Sequence, residues 1–171
     1  MGWMNDSHFT SDPRLAYMSG DVRYRWQPEN DFRFRRWTPA EFELQHSLFA
    51  ADKQMVGIMF RAGVPLLTFC FPGFSLHDEL ALLVESGLTP LAALQAATIR
   101  PAEFLARAGD FGQIAAGKRA NMVLLAADPL ADIRNTTQIQ AVWFQGKYFD
   151  RAALDALLAN AKHRSGKGKL R

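Results

Sequence analysis

The sequence predicts an α/β chain, and three observations carry that reading. Val64-Pro65-Leu66-Leu67-Thr68-Phe69-Cys70-Phe71 is a short, almost wholly apolar run with glycine and proline nearby. Such a run reads as a fully buried strand of a parallel sheet. Further on, Gly109, Gly112, Gly117 and Gly146 punctuate short strand-like stretches, and Phe144-Gln145-Gly146-Lys147 reads as a hairpin turn. Helical patterns occupy most of the remainder of residues 38–108 and residues 151–161. A lone parallel strand has no ladder partners of its own, so the chain is expected to belong to something larger or to assemble with something.

Taken in order, residues 1–37 read as an irregular loop region, with Asp12-Pro13, Ser19-Gly20 and Gln27-Pro28 as turn signals. Arginines alternate there with aromatics, from Arg23 to Trp26 and from Phe32 to Trp37. That pattern can stack on bases. The acids Asp21, Glu29 and Asp31 and a loop layer lying on a larger body explain it equally well. A helix follows. Thr38-Pro39-Ala40-Glu41 supplies an N-cap, a proline at the first helical position and a glutamate set for a capping box. Phe42, Leu48, Phe49, Met55, Val56 and Met59 form its apolar stripe, and Gly63 ends it.

After the buried strand, Ser75 is set to cap a helix over 76–86 that stops at Gly87. Thr89-Pro90 opens a helix to about 98, and Pro101 opens another to about 108. Strands are expected over 122–126, 139–144 and 147–149, and Asp150 caps a closing helix over 151–161. The domain reading is therefore 1–37 loop region, 38–108 helix–strand–helices, 109–150 β segment, 151–161 closing helix and 162–171 basic tail.

Composition narrows the class. Hydrophobic residues make up 49%, which fits a globular chain. No apolar run approaches the roughly 20 residues of a membrane span. The first residues lack a basic flank followed by an apolar core, so no secretory signal is read, and Asp6 breaks the myristoylation pattern. The single cysteine, Cys70, excludes an internal disulfide and fits a reducing, cytoplasmic setting. Lys162, Arg164, Lys167, Lys169 and Arg171 account for the basic pI, because removing these five from the formal +3 leaves −2. Such a tail can touch an anionic surface or simply be a solvated terminus.

From Ala62 onward the sequence resembles the amidohydrolase superfamily, in its imidazolonepropionase-like and Xaa-Pro-dipeptidase-like branch. The resemblance runs through Arg61–Leu67, Pro72-Gly73-Phe74-Ser75-Leu76-His77-Asp78-Glu79-Leu80 and Glu85–Leu94. It continues in Ala97-Thr98-Ile99-Arg100-Pro101-Ala102, in Gly112–Leu125, and in Asp128-Pro129-Leu130, Ile139–Val142 and Gly146-Lys147. Asp12–Tyr17 and Thr38-Pro39 match more weakly. It implies the C-terminal portion of a metal-dependent hydrolase TIM barrel, with 38–108 its last helix, strand and helices. Residues 109–150 would then be part of a small β-sandwich domain. The implied chemistry is hydrolysis of a non-peptide C–N or X-Pro bond, with zinc or another divalent metal activating water.

The residues for that chemistry are not in this sequence. The resemblance implies a His-x-His pair and further histidines upstream, whereas the chain has His8, His46, His77 and His163, no two so spaced. Where the family's last strand ends in a metal-binding aspartate, Phe71 stands near its place, and phenylalanine neither binds a cation nor accepts a proton. Asn121 replaces a second, structural aspartate. No catalytic or metal-binding residue is therefore assigned, and no cofactor is expected to be retained.

His77-Asp78-Glu79 cannot converge on one ion, because successive helical side chains point about 100° apart. Asp78 and Glu79 also suit a helix N-terminus. His77 is the one site residue kept, as a substrate-binding group, beside the plain alternative of a structural histidine. Cys70 sits in an apolar strand with no evident base, so it is not read as a nucleophile. The functional expectation is an amidohydrolase-like protein, truncated and inactive alone. One alternative is a self-associating or partner-completing module, whose partner is a second copy or a complementing chain. The other is a weak nucleic-acid or anionic-surface binder. No membrane is expected as a partner, and nucleic acid is the weakest reading.

Overall fold

The computed structural model describes residues 11–27, 29–33, 35–70 and 73–166. Phe71 and residues 1–10 and 167–171, on which several expectations fall, lie outside the described residues. The elements are α1 (Gly20–Arg25), α2 (Pro39–Arg61), α3 (Ser75–Glu85), α4 (Pro90–Ala96), α5 (Ile99–Phe104), β1 (Met122–Leu125), β2 (Ile139–Phe144), β3 (Lys147–Phe149) and α6 (Arg151–Gly166). Two short 3-10 helices, Pro13–Tyr17 and Ile133–Thr137, complete them. The mixture of helices and one sheet is the α/β composition expected. Two compact units divide it, residues 1–52 with 155–171 and residues 53–154, and the division falls within α2 and α6.

In the first unit, residues expected to be irregular fold into a 3-10 turn and α1. Asp12 begins the turn by accepting the Arg14 N–H at 2.8 Å and the Arg14 guanidinium at 2.7 Å. Asp31 does the same for Arg33, through its N–H at 3.0 Å and its guanidinium at 2.6 Å. An aspartate two residues before an arginine thus closes a local loop through both main chain and side chain. The arginine–aromatic interleaving is in part a set of such neighbour pairs, with Arg25 on Asp21 as another. Near the end of α6, the Ser165 hydroxyl, buried, lies within hydrogen-bonding reach of Ala16 O and Lys162 O.

The α2 N-terminus is built as its sequence dictates. Thr38 N–H donates to Glu41 Oε2 at 2.6 Å and Glu41 N–H donates to Thr38 Oγ1 at 3.3 Å, so two otherwise unsatisfied donors are met reciprocally. Gly63, at φ 77, ends the helix, with Val64 N–H returning to Met59 O at 3.0 Å. The apolar stripe divides: Phe42, Phe49, Val56 and Met59 are half-buried, while Leu48 and Met55 are exposed.

In the second unit, Gly57 of α2 meets the C-terminal end of α3 so closely that a Cβ there would overlap Ser86 O. The core beside it joins Leu80 of α3, Ala93 of α4 and Ile133 of the second 3-10 helix, with Leu76, Leu83, Val84 and Leu94 packed around them. Burying Leu80 contributes about 1.5–3 kcal/mol. Thr89 caps α4 as expected, its Oγ1 accepting the Ala92 N–H at 3.1 Å. Ser75 does not cap α3: it lies inside the helix, and Phe74 occupies the cap position without a side-chain bond.

The sheet is three-stranded and antiparallel, in the order β1-β2-β3. Met122 faces Trp143, and Trp143 faces Tyr148. The Trp143 and Tyr148 rings pack in a tilted arrangement, 4.9 Å between centroids and 47° between planes. Gln145 and Gly146 link β2 to β3 with φ of 52° and 76°, the left-handed pair that a two-residue hairpin demands. Asp150 Oδ1 accepts the Ala153 N–H at 2.8 Å to start α6, and Arg151 reaches Ile139 O of β2 at 2.8 Å. The helix continues to Gly166, five residues past its expected end.

The buried parallel strand is corrected. Residues 64–70 have no regular secondary structure and pair with no strand among the described residues, and Val64, Leu67 and Phe69 are exposed, Phe69 by 94%. Thr68 N–H donates to Ala96 O at 3.1 Å, but no ladder forms among the described residues. The apolar composition that suggests burial describes what the segment favours, and no strand lies beside it among the described residues to provide that burial.

Candidate functional site

The segment 64–70 leads to α3, and the side chains singled out by sequence gather around this junction. His77, in the first turns of α3, sets Nδ1 3.0 Å from Thr136 Oγ1. Thr136 is buried, and its hydroxyl hydrogen goes to Ile133 O at 2.8 Å. With that hydrogen on Ile133 O, the hydroxyl accepts from His77 Nδ1–H, the arrangement that satisfies both neighbours of the Thr136 oxygen. Glu79, two residues on, turns the other way: its Oε1 accepts the Phe69 N–H at 3.1 Å. Partial burial pushes the Glu79 carboxyl above the usual range, and the Phe69 N–H only partly opposes this.

His77 and Glu79 therefore do not share a ligand position, in keeping with their angular separation on the helix. No group of three or more histidine, cysteine, aspartate or glutamate side chains among the described residues is arranged to hold a metal ion. His46 and His163 stand exposed on α2 and α6. The described donor set does not fit a divalent metal.

Cys70, half-buried, has its thiol pushed up, first by burial and then by the nearby Glu79 carboxylate, while a hydrogen bond with Ser75 opposes the shift. A thiol so placed stays protonated at neutral pH, which suits a packing role. Asn121 accepts the Gln145 N–H on Oδ1 at 2.8 Å and thereby braces the hairpin. An aspartate would offer the same acceptor, so the replacement there preserves the structural function of the position.

Two members of this region escaped sequence reasoning. Thr136 lies 59 residues from His77, and nothing local announces the pairing. The 3-10 helix that carries it did have a signal: Asp132 accepts the Arg134 N–H at 2.9 Å, the same aspartate–arginine spacing as Asp12 and Asp31. No helix among the described residues is long and apolar enough to cross a membrane.

Residues 47–149 match the model of the Amidohydrolase family. Among solved structures, the chain is similar to a Xaa-Pro dipeptidase with bound methionine in the active site, at 22% identity and a TM-score of 0.53, over 57% of this chain and 25% of that one. It is similar to a prolidase complexed with N-methylphosphonate-L-proline at 23% identity and a TM-score of 0.56, over 79% and 34%. It is also similar to molinate hydrolase at 29% identity and a TM-score of 0.50, over 59% and 27%. The chain thus spans between a quarter and a third of the length of these structures. No curated protein matches it.

Proposed function

Because the chain belongs to the amidohydrolase family, we propose that it is the C-terminal portion of a hydrolase-like barrel with part of the small β domain, and that it does not hydrolyse substrate alone. The substrate class that goes with this reading is a non-peptide C–N or X-Pro bond, by likeness to the dipeptidase, prolidase and molinate hydrolase structures. One observation carries it: at the junction where the family chemistry belongs, His77 is committed to Thr136 and Glu79 to the Phe69 main chain. The sequence adds support through Phe71 in place of the family aspartate and through the lack of any His-x-His pair. His77, its ring fixed by Thr136, is the residue assigned to touch substrate in a completed site. A cytoplasmic setting, supported by the single Cys70, belongs to the same reading. The test is an assay of the purified 171-residue chain with added zinc on an X-Pro dipeptide and on an N-aryl amide. No turnover above the metal-only background is expected, and metal-dependent turnover overturns the reading.

A second reading, a self-associating or partner-completing module, is favoured by the unladdered segment 64–70 with Phe69 exposed. Sedimentation at several concentrations tests it. Association that Phe69→Asp abolishes is expected, and a concentration-independent monomer overturns it.

A further inference from the structure

The first unit contains a pocket of about 290 Å³ whose chemistry is unconnected with the α3 junction. Its wall includes Arg23, Trp26 and Gln27, with Asp12 at the start of the 3-10 turn. Its volume lies near the lower end of small-molecule pockets, about 300–1,000 Å³.

The arginines of residues 11–33 differ in one respect. Arg14 pairs with Asp12, Arg25 with Asp21 and Arg33 with Asp31. Arg23, half-buried and facing this pocket, has no acidic partner among the described residues. A guanidinium removed in part from water calls for a carboxylate or similar anion, which it can hold with two parallel hydrogen bonds. Gln27 stands one helical turn further on. Its Oε1 accepts from Asn30 at 3.0 Å, which leaves its amide nitrogen as the group to donate. Asp12, the one acid in the wall, is already neutralised by Arg14, whose guanidinium holds its carboxyl below the usual aspartate range. Donors therefore outnumber open acceptors, and the Trp26 indole supplies a flat apolar side.

We propose that this pocket binds a small organic carboxylate with a flat or apolar body, its carboxylate on Arg23 and Gln27 and its body against Trp26. The site is separate from the hydrolase-like region and does not depend on the reading of that region.

The experiment titrates benzoate into the full 171-residue chain, followed by calorimetry and by the Trp26 indole N–H resonance. Saturable binding that shifts this resonance is expected, with acetate weaker because it lacks the body. Arg23→Gln should weaken benzoate at least about tenfold, the scale of one hydrogen bond to a charged group. Arg25→Gln, whose partner is Asp21, should leave binding unchanged. If Arg23→Gln does not fold, Gln27→Ala takes its place and should weaken binding severalfold. The proposal is overturned by absence of saturable benzoate binding, by unchanged binding in these pocket variants, or by benzylamine or inorganic phosphate binding as tightly as benzoate.

Discussion

The His77 imidazole hydrogen-bonds through Nδ1 with Thr136 Oγ1 at 3.0 Å, joining α3 to the second 3-10 helix across 59 residues of sequence. Ile133, whose carbonyl the Thr136 hydroxyl reaches, belongs to the core with Leu80. Thr136→Val removes the acceptor for His77 and the donor for Ile133 O together. It should cost about 1–3 kcal/mol in urea unfolding, the scale for buried polar groups left unmatched. A double-mutant cycle with His77→Leu should return a coupling of about 0.5–3 kcal/mol. Zero coupling means the two groups do not act as a pair.

Gly57→Ala sets two effects against each other. In an exposed helix interior, alanine stabilises by about 0.8–1 kcal/mol over glycine. Here its Cβ would overlap a backbone oxygen, Ser86 O, which cannot rotate aside. Overpacking of this kind costs about 1–3 kcal/mol, so the net change should be destabilising. Thermal unfolding decides between them, and a rise in melting temperature would contradict the close approach of α2 to α3.

Asp31 is buried and held by Arg33, whose guanidinium keeps its carboxyl below the usual aspartate range. An unfolded aspartate titrates near pH 3.9. The contribution of the pair is therefore complete above that pH and fades as pH falls through the depressed folded value. Asp31→Asn should lose stability at pH 7 and show a shallower acid limb in pH-dependent urea melts. Parallel acid limbs for variant and parent would show that the pair does not contribute to folding.

Glu79 carries the opposite sign. Burial raises its folded value, so the unfolded chain ionises first, near pH 4.3, and stability is lost as pH rises from there through the folded value. Glu79→Gln keeps an oxygen for the Phe69 N–H and removes the charge. It should be at least as stable as the parent at pH 7, with the difference closing below about pH 4. A variant clearly weaker at pH 7 would mean the carboxylate charge has a favourable partner.

What the sequence revealed was chiefly local. The Thr38–Glu41 box, the Thr89 cap, the Gly63 stop and the Gln145-Gly146 turn each involve residues within four or five positions, and all formed where the sequence placed them. The junction around His77 needed contacts from distant parts of the chain. His77 itself stood out, but the identity of its partner depends on where residues 133–137 fold. The apolar run before α3 misled for the same reason. Composition records the preference of a segment for burial, whereas a ladder needs a neighbouring strand. Even the overlong α6 fits: Lys162 and Arg164 read as part of a solvated tail, yet Arg164 lies in the last helical turn, where the helix dipole favours a cation.

The irregular segment 64–70 has a practical consequence. A protease active site binds its substrate as an extended chain, a shape open to a stretch held in no helix or strand, and Phe69 here lies almost wholly in solvent. Brief digestion with chymotrypsin should therefore cut first after Phe69, ahead of the more sheltered aromatics of the β2–β3 hairpin. The same exposure makes the segment a starting point for aggregation during storage, so the rate of loss from solution and the rate of nicking should fall together in a Phe69→Asp variant.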